Sequence, residues 1–138
     1  VKMLPCLDGV DTSAYAKCRF TDVSDKSVFA PYVEWAANNG IVLGLDAATF
    51  KPNDNITREQ MAAIICRYAD YAGIKLSDDT PAVTFADSAQ ISKYAVDYVT
   101  ALQRAGIICG KQNADGSFSY YPKSFATREQ ACKVLSLI

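Results

Sequence analysis

Apolar residues recur at helical spacing in two stretches of the first half of the chain. Between positions 29 and 39 the spacing i, i+3, i+4, i+7 marks one helix face, made of Phe29, Tyr32, Val33 and Ala36. A second helix, from Arg58 to about Ala72, has the same spacing at Met61, Ile64, Ile65 and Tyr68. Gly40 and Gly73 follow these patterns, and glycine commonly ends helices. The pattern predicts two amphipathic helices joined by a loop over 44–55, where Asn, Asp and Pro favour turns.

The same order of features is repeated later in the chain. Phe85 corresponds to Phe20, and a predicted helix over 94–105 corresponds to the first helix. In the loops that follow, Phe118 and Pro122 are matched with Phe50 and Pro52, so the second loop is longer by two residues. Repeated units of this size bury their apolar faces against their neighbours. We therefore predict one repeat over 20–74, a linker over 75–84 and a second repeat over 85–138.

The first 19 residues have the pattern of the end of a preceding unit. Residues 1–10 are interpreted as the last turns of a helix that ends at Gly9, followed by a polar connector. The spacing from Gly9 to Phe20 nearly equals the spacing from Gly73 to Phe85. We therefore expect residues 1–19 to be the tail of a truncated preceding repeat, which implies an architecture of at least three repeats.

The second helix of each repeat begins with the same four residues, Thr-Arg-Glu-Gln, at 57–60 and at 127–130. A threonine followed three residues later by glutamine is a capping box, in which side chains bond the amides of the helix start. An arginine in the first turn opposes the helix dipole, so stability alone does not explain Arg58 and Arg128. We hypothesise that both arginines, together with free N–H groups, bind an anion. The alternative is an exposed arginine paired with a neighbouring acid.

Composition excludes several functions. With half of its residues apolar, 21% charged and a net charge of −1, the chain is expected to fold, and it has no basic run for nucleic-acid binding. No stretch approaches the roughly 20 apolar residues that span a bilayer, so membrane insertion is not expected. The absence of histidine excludes Ser-His-Asp and Cys-His catalysis. Most of the five cysteines are expected to be small buried residues, with one disulfide left open.

Two other functions have partial support. The segment Asn113-Ala114-Asp115-Gly116 suggests a cation loop, but the spacing of a calcium loop with its final glutamate is absent. A glycosidase needs two carboxylates beside a cleft, and the candidates are Asp22, Asp54, Asp87 and Asp115. Use of the same positions in two repeats favours binding over an active site, which needs one asymmetric pair. We therefore expect no enzyme activity, no metal and no cofactor.

Both repeats resemble the S-layer homology repeat. Each has Phe-x-Asp, a helix, Gly-Ile-x-x-Gly, a loop with Phe and Pro, and Thr-Arg-Glu-Gln before a second helix, in that order. The resemblance covers 20–73 and 85–138. It implies a mainly α fold of tandem helix-loop-helix repeats, forming part or all of a pseudo-threefold, three-pronged spindle.

The resemblance also implies a function. Modules of this family are noncatalytic and hold exported proteins on bacterial walls by binding secondary cell-wall polysaccharide, often with a pyruvate ketal. The expected location is extracellular, in the bacterial cell wall or S-layer. A prong-swapped oligomer, or a covalently linked domain missing from this chain, is a further expectation. The alternative function is a helical protein-protein interaction module of a surface protein, without glycan binding.

Site residues follow from the resemblance position by position. The family's arginine falls on Arg58 and Arg128, and its glycine before the loop falls on Gly44 and Gly110. The family motif is Thr-Arg-Ala-Glu, and Gln60 and Gln130 depart from it while still completing the capping box. The residue chemistry agrees with this assignment, because a guanidinium fork matches the carboxylate of a ketal-linked pyruvate.

Four further residues are candidates with two interpretations each. Trp35 or Tyr98 is expected to stack on a sugar ring, although interface packing is an equal alternative for Trp35. Asp22 and Asp87 are candidate ligand residues, or caps of turns and helix entries. The second loop carries Tyr120 and Tyr121, which leaves room for the two sites to differ in preference.

Overall fold

The structure, a computed structural model, describes residues 1–7 and 9–138. In this part of the chain there are five α-helices and one two-stranded sheet, which confirms the predicted mainly α class. The helices are α1 (Met3–Leu7), α2 (Ala30–Asn38), α3 (Arg58–Tyr71), α4 (Val96–Arg104) and α5 (Arg128–Leu135). The strands are β1 (Lys111–Gln112) and β2 (Phe118–Ser119), and the short 3-10 helices are Ser88–Gln90 and Lys93–Ala95.

The chain divides into two compact units, a first unit over Val1–Asp54 and a second unit over Asn55–Ile138. The boundary lies inside the first sequence repeat, between its loop and its second helix. Helix α3 therefore belongs to the same unit as the whole second repeat. The sequence repeat and the structural unit are offset from one another by one helix.

The first unit is built around α2. Pro31 lies in its first turn, where a missing N–H is tolerated, and Gly40 ends it with a φ of 69°. The predicted burial of Phe29 is wrong, since that side chain is 52% exposed. The helix begins one residue later, and its buried face passes through Ala30 instead. The core of the unit combines Phe20, Val23, Ala30 and Val33, with Cys18, Ala37 and Phe50 packed against it.

The helix predicted near the N-terminus is present as α1. Leu4 and Pro5 are its buried residues. The prediction for 1–10 includes Asp8, which lies outside the described residues. Val10 N–H donates to the Pro5 carbonyl oxygen at 2.9 Å, which closes the turn after α1.

The second unit is built on α3 packed against α4. The predicted stripe of α3 is confirmed at Met61, Ile65 and Tyr68, which are all buried, whereas Ile64 is half-buried. Burial extends over a wider face than the stripe, and the added residues are mostly small: Ala62, Ala63, Cys66 and Ala69. Val99 and Leu102 of α4 are also buried. Small side chains on one helix let a neighbouring element approach its backbone closely, which suits a compact helix pair.

The predicted linker over 75–84 is held against α4. The side chain of Gln103, 4% exposed, donates to the Pro81 carbonyl and accepts from the Val83 N–H, both at 3.0 Å. Thr80 N–H donates to the Arg104 carbonyl at 3.0 Å. A buried amide with both ends bonded fixes this stretch of backbone, so it is part of the second unit.

A short hairpin follows α4. Strands β1 and β2 are antiparallel, with Lys111 opposite Ser119 and Gln112 opposite Phe118. The turn between them contains the segment considered as a cation loop, and its Asp115 carboxylate accepts from the Ser117 N–H and hydroxyl. Gly116 supplies the positive φ of 84° that the turn requires. In the described ranges no group of three acidic or thiol side chains is placed to hold a metal.

The expectation that most cysteines are buried is wrong. Cys66 is buried on α3, and burial raises the pKa of its thiol to about 12. Cys18 is half-buried. The exposed cysteines are Cys6, Cys109 and Cys132.

Candidate functional site

Both Thr-Arg-Glu-Gln segments form the predicted capping box. At α3 the Thr57 hydroxyl accepts from Gln60 N–H at 3.3 Å, and Gln60 Oε1 accepts from Thr57 N–H at 2.8 Å. At α5 the matching distances for Thr127 and Gln130 are 3.2 and 3.1 Å. Each box fixes where its helix begins, and so it places the following arginine in the first turn.

Arg58 is held by Tyr120, which belongs to the loop of the second repeat. Its Nε donates to the Tyr120 carbonyl at 2.8 Å, and its guanidinium carbon lies 4.9 Å from the centroid of the Tyr120 ring. In return, the Tyr120 hydroxyl donates to the Arg58 carbonyl at 2.8 Å. Tyr120 is 1% exposed, and burial raises the pKa of its hydroxyl. These contacts fix the arginine without an acidic partner, because no carboxylate in the described part of the chain pairs with it.

The first amides of α3 are not free for a ligand. Arg58 N–H donates to the Ser124 carbonyl at 2.9 Å, and Glu59 N–H donates to the Pro122 carbonyl at 3.1 Å. The prediction that free N–H groups join this arginine at an anion site is therefore wrong for α3. The second repeat's loop satisfies them, as the burial of a helix end requires.

Glu59 fastens the same loop from its other side. It is 4% exposed, and its carboxylate accepts from Ser92 N–H at 2.9 Å, from the Ser92 hydroxyl at 2.9 Å and from Lys123 Nζ at 2.5 Å. Burial alone raises the pKa of Glu59, but the Lys123 and Ser92 donors together outweigh it, so the pKa lies below its ordinary value. The glutamate therefore has a structural role beyond its favourable place near the helix dipole.

Asp22 and Asp87 each brace the loop of their own repeat. Asp22 accepts from the N–H groups of Phe50 and Lys51 at 2.9 and 2.7 Å. Asp87 accepts from those of Tyr120 and Tyr121 at 2.8 and 2.7 Å. The Phe50 N–H, and less strongly that of Lys51, holds the pKa of Asp22 below its usual value.

This bracing shows that Tyr120, and not Phe118, is the counterpart of Phe50. Phe50 lies 5.3 Å from the ring of Phe20, and Tyr120 lies 5.5 Å from the ring of Phe85. The match made from the sequence is therefore wrong. The loops have the same length from this aromatic residue to the proline, and the insertion lies in the hairpin before it.

The predicted glycines are required by packing. Gly110 has a φ of 70°, and a Cβ there would lie 2.7 Å from Cε1 of Phe85 and 2.9 Å from the Ser119 carbonyl oxygen. Gly44 has a φ of 72°, and its Cβ would lie 2.5 Å from Cε1 of Phe20. A side chain at either position would collide with the aromatic residue that starts the repeat, so the glycine lets the chain pass over that ring.

An open groove of about 530 Å³ lies in the second unit beside Arg58. This volume is within the range of about 300 to 1,000 Å³ of small-molecule sites. Its lining residues, here called the groove, are Arg58, Gly110, Lys111, Tyr121, Ser124, Phe125 and Gln130. The structure thus brings together two of the predicted site residues, Arg58 and Gly110.

The groove is cationic and partly aromatic. Arg58 and Lys111 are its charged residues, and the lining contains no carboxylate. Tyr121 is 44% exposed and Phe125 is 63% exposed, so both rings present area to solvent. Gln130 uses its carbonyl oxygen in the capping box, which leaves its amide group as a donor. Such a surface can bind an anion that also has an apolar face.

The remaining predicted residues lie elsewhere. Trp35 is 1% exposed, so it presents no face to a ligand. Tyr98 is half-buried beside Arg67, whose Nε lies 3.4 Å from its hydroxyl and whose guanidinium carbon lies 5.2 Å from its ring centroid. Arg128 is exposed, and no acid among the described residues pairs with it.

Sequence reasoning missed Lys111 and Phe125 as groove residues. Lys111 directly follows the predicted Gly110, and Phe125 comes two residues before the second capping threonine. Neither position could be assigned without the bridge between Thr57 and Phe125, which brings distant parts of the chain together.

The described helices include none that is both long and apolar enough to pass through a lipid bilayer. This finding applies to residues 1–7 and 9–138.

Comparison with known proteins places both repeats in one family. Residues 19–62 and 84–132 match the S-layer homology domain. The chain is 40% identical over 107 residues to an endoglucanase of Bacillus sp. (strain KSM-635), covering 77% of this chain and 11% of the relative. It is 34% identical over 116 residues to an amylopullulanase of Thermoanaerobacterium thermosulfurigenes, covering 84% of this chain and 6% of the relative.

A third relative is named for the surface layer itself. The surface-layer 125 kDa protein of Lysinibacillus sphaericus is 25% identical over 129 residues, which is 94% of this chain and 10% of the relative. The chain thus spans about a tenth or less of the length of these relatives. The matched residues include both Thr-Arg-Glu motifs and both loops. The chain belongs to the S-layer homology domain family.

Proposed function

We propose that the chain is a noncatalytic anchoring module that binds an anionic, pyruvylated secondary cell-wall polysaccharide outside a bacterial cell. The observation that carries this proposal is the groove, where Arg58 and Lys111 lie beside exposed aromatic rings and no carboxylate is present. Membership of a family that includes a surface-layer protein supports the same location. The endoglucanase and amylopullulanase activities belong to relatives of which this chain matches 11% and 6%.

Arg58 is suited to bind the carboxylate of a ketal-linked pyruvate. A guanidinium has five N–H donors, and Nε is already used by the Tyr120 carbonyl. The two terminal nitrogens keep four N–H donors, which can form two parallel bonds to a carboxylate. Because Tyr120 fixes the side chain beforehand, little of its rotamer freedom is lost when the ligand binds.

The rest of the groove suits a sugar. Ser124 and Gln130 offer a hydroxyl and an amide for sugar hydroxyls, and the rings of Tyr121 and Phe125 offer flat apolar area. Arg128 is proposed as a second ligand arginine, since it has the same place in its capping box and is exposed. Asp22 and Asp87 are assigned to their loops, and Trp35 and Tyr98 are not included.

Cosedimentation with purified bacterial wall sacculi tests this function. The variant Arg58→Gln removes the charge and fork from the groove, and we expect at least a tenfold loss of affinity, because charge-assisted bonds contribute about 1.5 to 3 kcal/mol. The control is Arg67→Gln, the same change on the same helix, at an arginine that contacts Tyr98 outside the groove. We expect the control to bind as the parent does.

A second arm identifies the ligand. Sacculi from which pyruvate has been removed by mild acid should retain far less of the parent protein than untreated sacculi. Equal retention by both kinds of sacculi, or by Arg58→Gln and the parent, would contradict the proposal. A helical module that binds a protein partner instead of a glycan would give that result.

A further inference from the structure

Two non-glycine residues in the described part of the chain adopt a backbone conformation that favours glycine. Among the described residues, Lys51 and Tyr121 are the non-glycine residues with positive φ, at 59° and 58°. A residue with a Cβ is strained in this region relative to glycine, and such strain persists only where the surroundings impose it. Asp22 and Asp87 impose it here, because each carboxylate binds the N–H of the strained residue and of the residue before it.

The two strained residues have the same position in their loops. Each follows the aromatic residue that packs on the first phenylalanine of its repeat, and each precedes a proline. Glycine or asparagine would satisfy this backbone at lower cost. Both positions carry a long side chain instead, so the backbone of the turn alone does not explain Lys51 and Tyr121.

The two repeats place their charges differently around this position. In the second unit, Lys111 follows Gly110 and the strained residue is Tyr121, and both line the groove. In the first unit, the residue after Gly44 is Leu45, 68% exposed, and the strained residue is Lys51. The lysine thus follows the glycine in the second repeat, whereas in the first repeat it occupies the strained position. The apolar or aromatic residue occupies the other position in each repeat.

We propose that Lys111 and Tyr121 determine which acidic glycan the groove accepts. Tyr121 is the platform for the apolar face of the sugar ring, and Lys111 is a second cation that acts with Arg58 on the acidic group. The inference rests on the proposed function, since it concerns the same groove. It adds that a ligand fits the groove only if its acidic group lies near Lys111 and its apolar face lies against Tyr121.

Affinities for two oligosaccharides, measured by calorimetry, test the inference. One is a pyruvylated fragment of wall polysaccharide, and the other is the same fragment after removal of pyruvate. Lys111→Leu introduces the residue type of Leu45, the corresponding position of the first repeat. It should lower the affinity for the acidic fragment by about two- to fivefold and leave the affinity for the neutral fragment unchanged. Tyr121→Asn should lower the affinity for both fragments by about two- to tenfold.

Thermal melting separates this role from a structural one. Asparagine tolerates positive φ better than tyrosine, so Tyr121→Asn should melt no lower than the parent although it binds less well. The double variant Lys111→Leu/Tyr121→Lys keeps the net charge and uses residues already present at these positions in the first repeat. We expect it to lose affinity for the acidic fragment. That result would show that the groove recognises the position of the positive charge and not only the net charge.

Arg58→Gln serves as the reference in every measurement. If it loses binding while Tyr121→Asn and the double variant bind as the parent does, the specificity role is overturned and the proposed function stands. Should Arg58→Gln bind both fragments as the parent does, the proposed function fails, and the inference fails with it.

Discussion

At the scale of single residues, glycine and aspartate set the geometry that the groove depends on. Gly110 lets the chain cross over the ring of Phe85, and Asp87 holds the strained turn at Tyr121. Neither residue needs to touch a ligand to be indispensable. Their recurrence as Gly44 and Asp22 follows from the same packing requirement in the first repeat.

The substitution Gly110→Ala should destabilise the protein more than Gly116→Ala. Both glycines have positive φ, so each alanine is expected to cost about 1 to 2 kcal/mol from backbone strain. At Gly110 the Cβ also meets the Phe85 ring and the Ser119 carbonyl, which adds about 1 to 3 kcal/mol of overpacking. At Gly116 nothing lies within 4 Å of the Cβ. Urea unfolding of the two variants measures the difference, and equal losses would show that the ring contact is unimportant.

At the scale of elements, the helices were predictable and the hairpin was not. Periodic apolar residues and capping boxes are local signals, and they located α2, α3 and α4 to within about one or two residues and also the start of α5. Strands of two residues carry no period, so β1 and β2 left no pattern to recognise. Matching Phe118 with Phe50 failed because residue identity was compared, whereas the loops are aligned by the aspartate that binds their amides.

Glu59 links α3 to the loop of the second repeat, and the contribution of this link to stability depends on pH. Since the pKa of Glu59 is lowered below its ordinary value of 4.5, its contribution is complete above about pH 4.5 and is lost as the pH falls through the lower, folded pKa. We expect Glu59→Gln to lower the free energy of unfolding by about 1 to 3 kcal/mol at pH 7. The difference from the parent should start to shrink as the pH falls below 4.5 and should disappear once the pH is below the folded pKa, where the carboxylate of the folded parent is also neutral.

Glu129→Gln is the matched control for this measurement. Glu129 has the same place in α5 but is exposed, so its replacement should change stability little at any pH. Denaturant unfolding at several pH values compares the three proteins. A loss for Glu59→Gln that stays constant from pH 7 to pH 3 would contradict the assignment of Glu59 as an ionised, bonded carboxylate.

At the scale of the whole molecule, the sequence repeat and the folded unit do not coincide. Repetition in the sequence reports the ancestry of segments, whereas a compact unit is defined by contacts between elements far apart in the chain. Helix α3 closes the first repeat in sequence and packs on α4 of the second repeat in space. The groove depends on this offset, because Arg58 comes from the first repeat and the other lining residues come from the second.

The offset predicts which fragment of the chain folds alone. A fragment over 55–138 keeps α3 with α4 and contains every residue of the groove, so it should melt cooperatively and bind the acidic glycan. A fragment over 75–138 contains the complete second repeat but lacks α3. Its Val99, Leu102 and Tyr120 then lose their cover, and the loop carbonyls of Pro122 and Ser124 lose their donors. Circular dichroism melting should therefore show a cooperative transition for the fragment over 55–138 and none for the fragment over 75–138. A cooperative transition in the fragment that begins at residue 75 would show that the sequence repeat folds by itself, and the site would then not depend on the pairing of α3 with the second repeat.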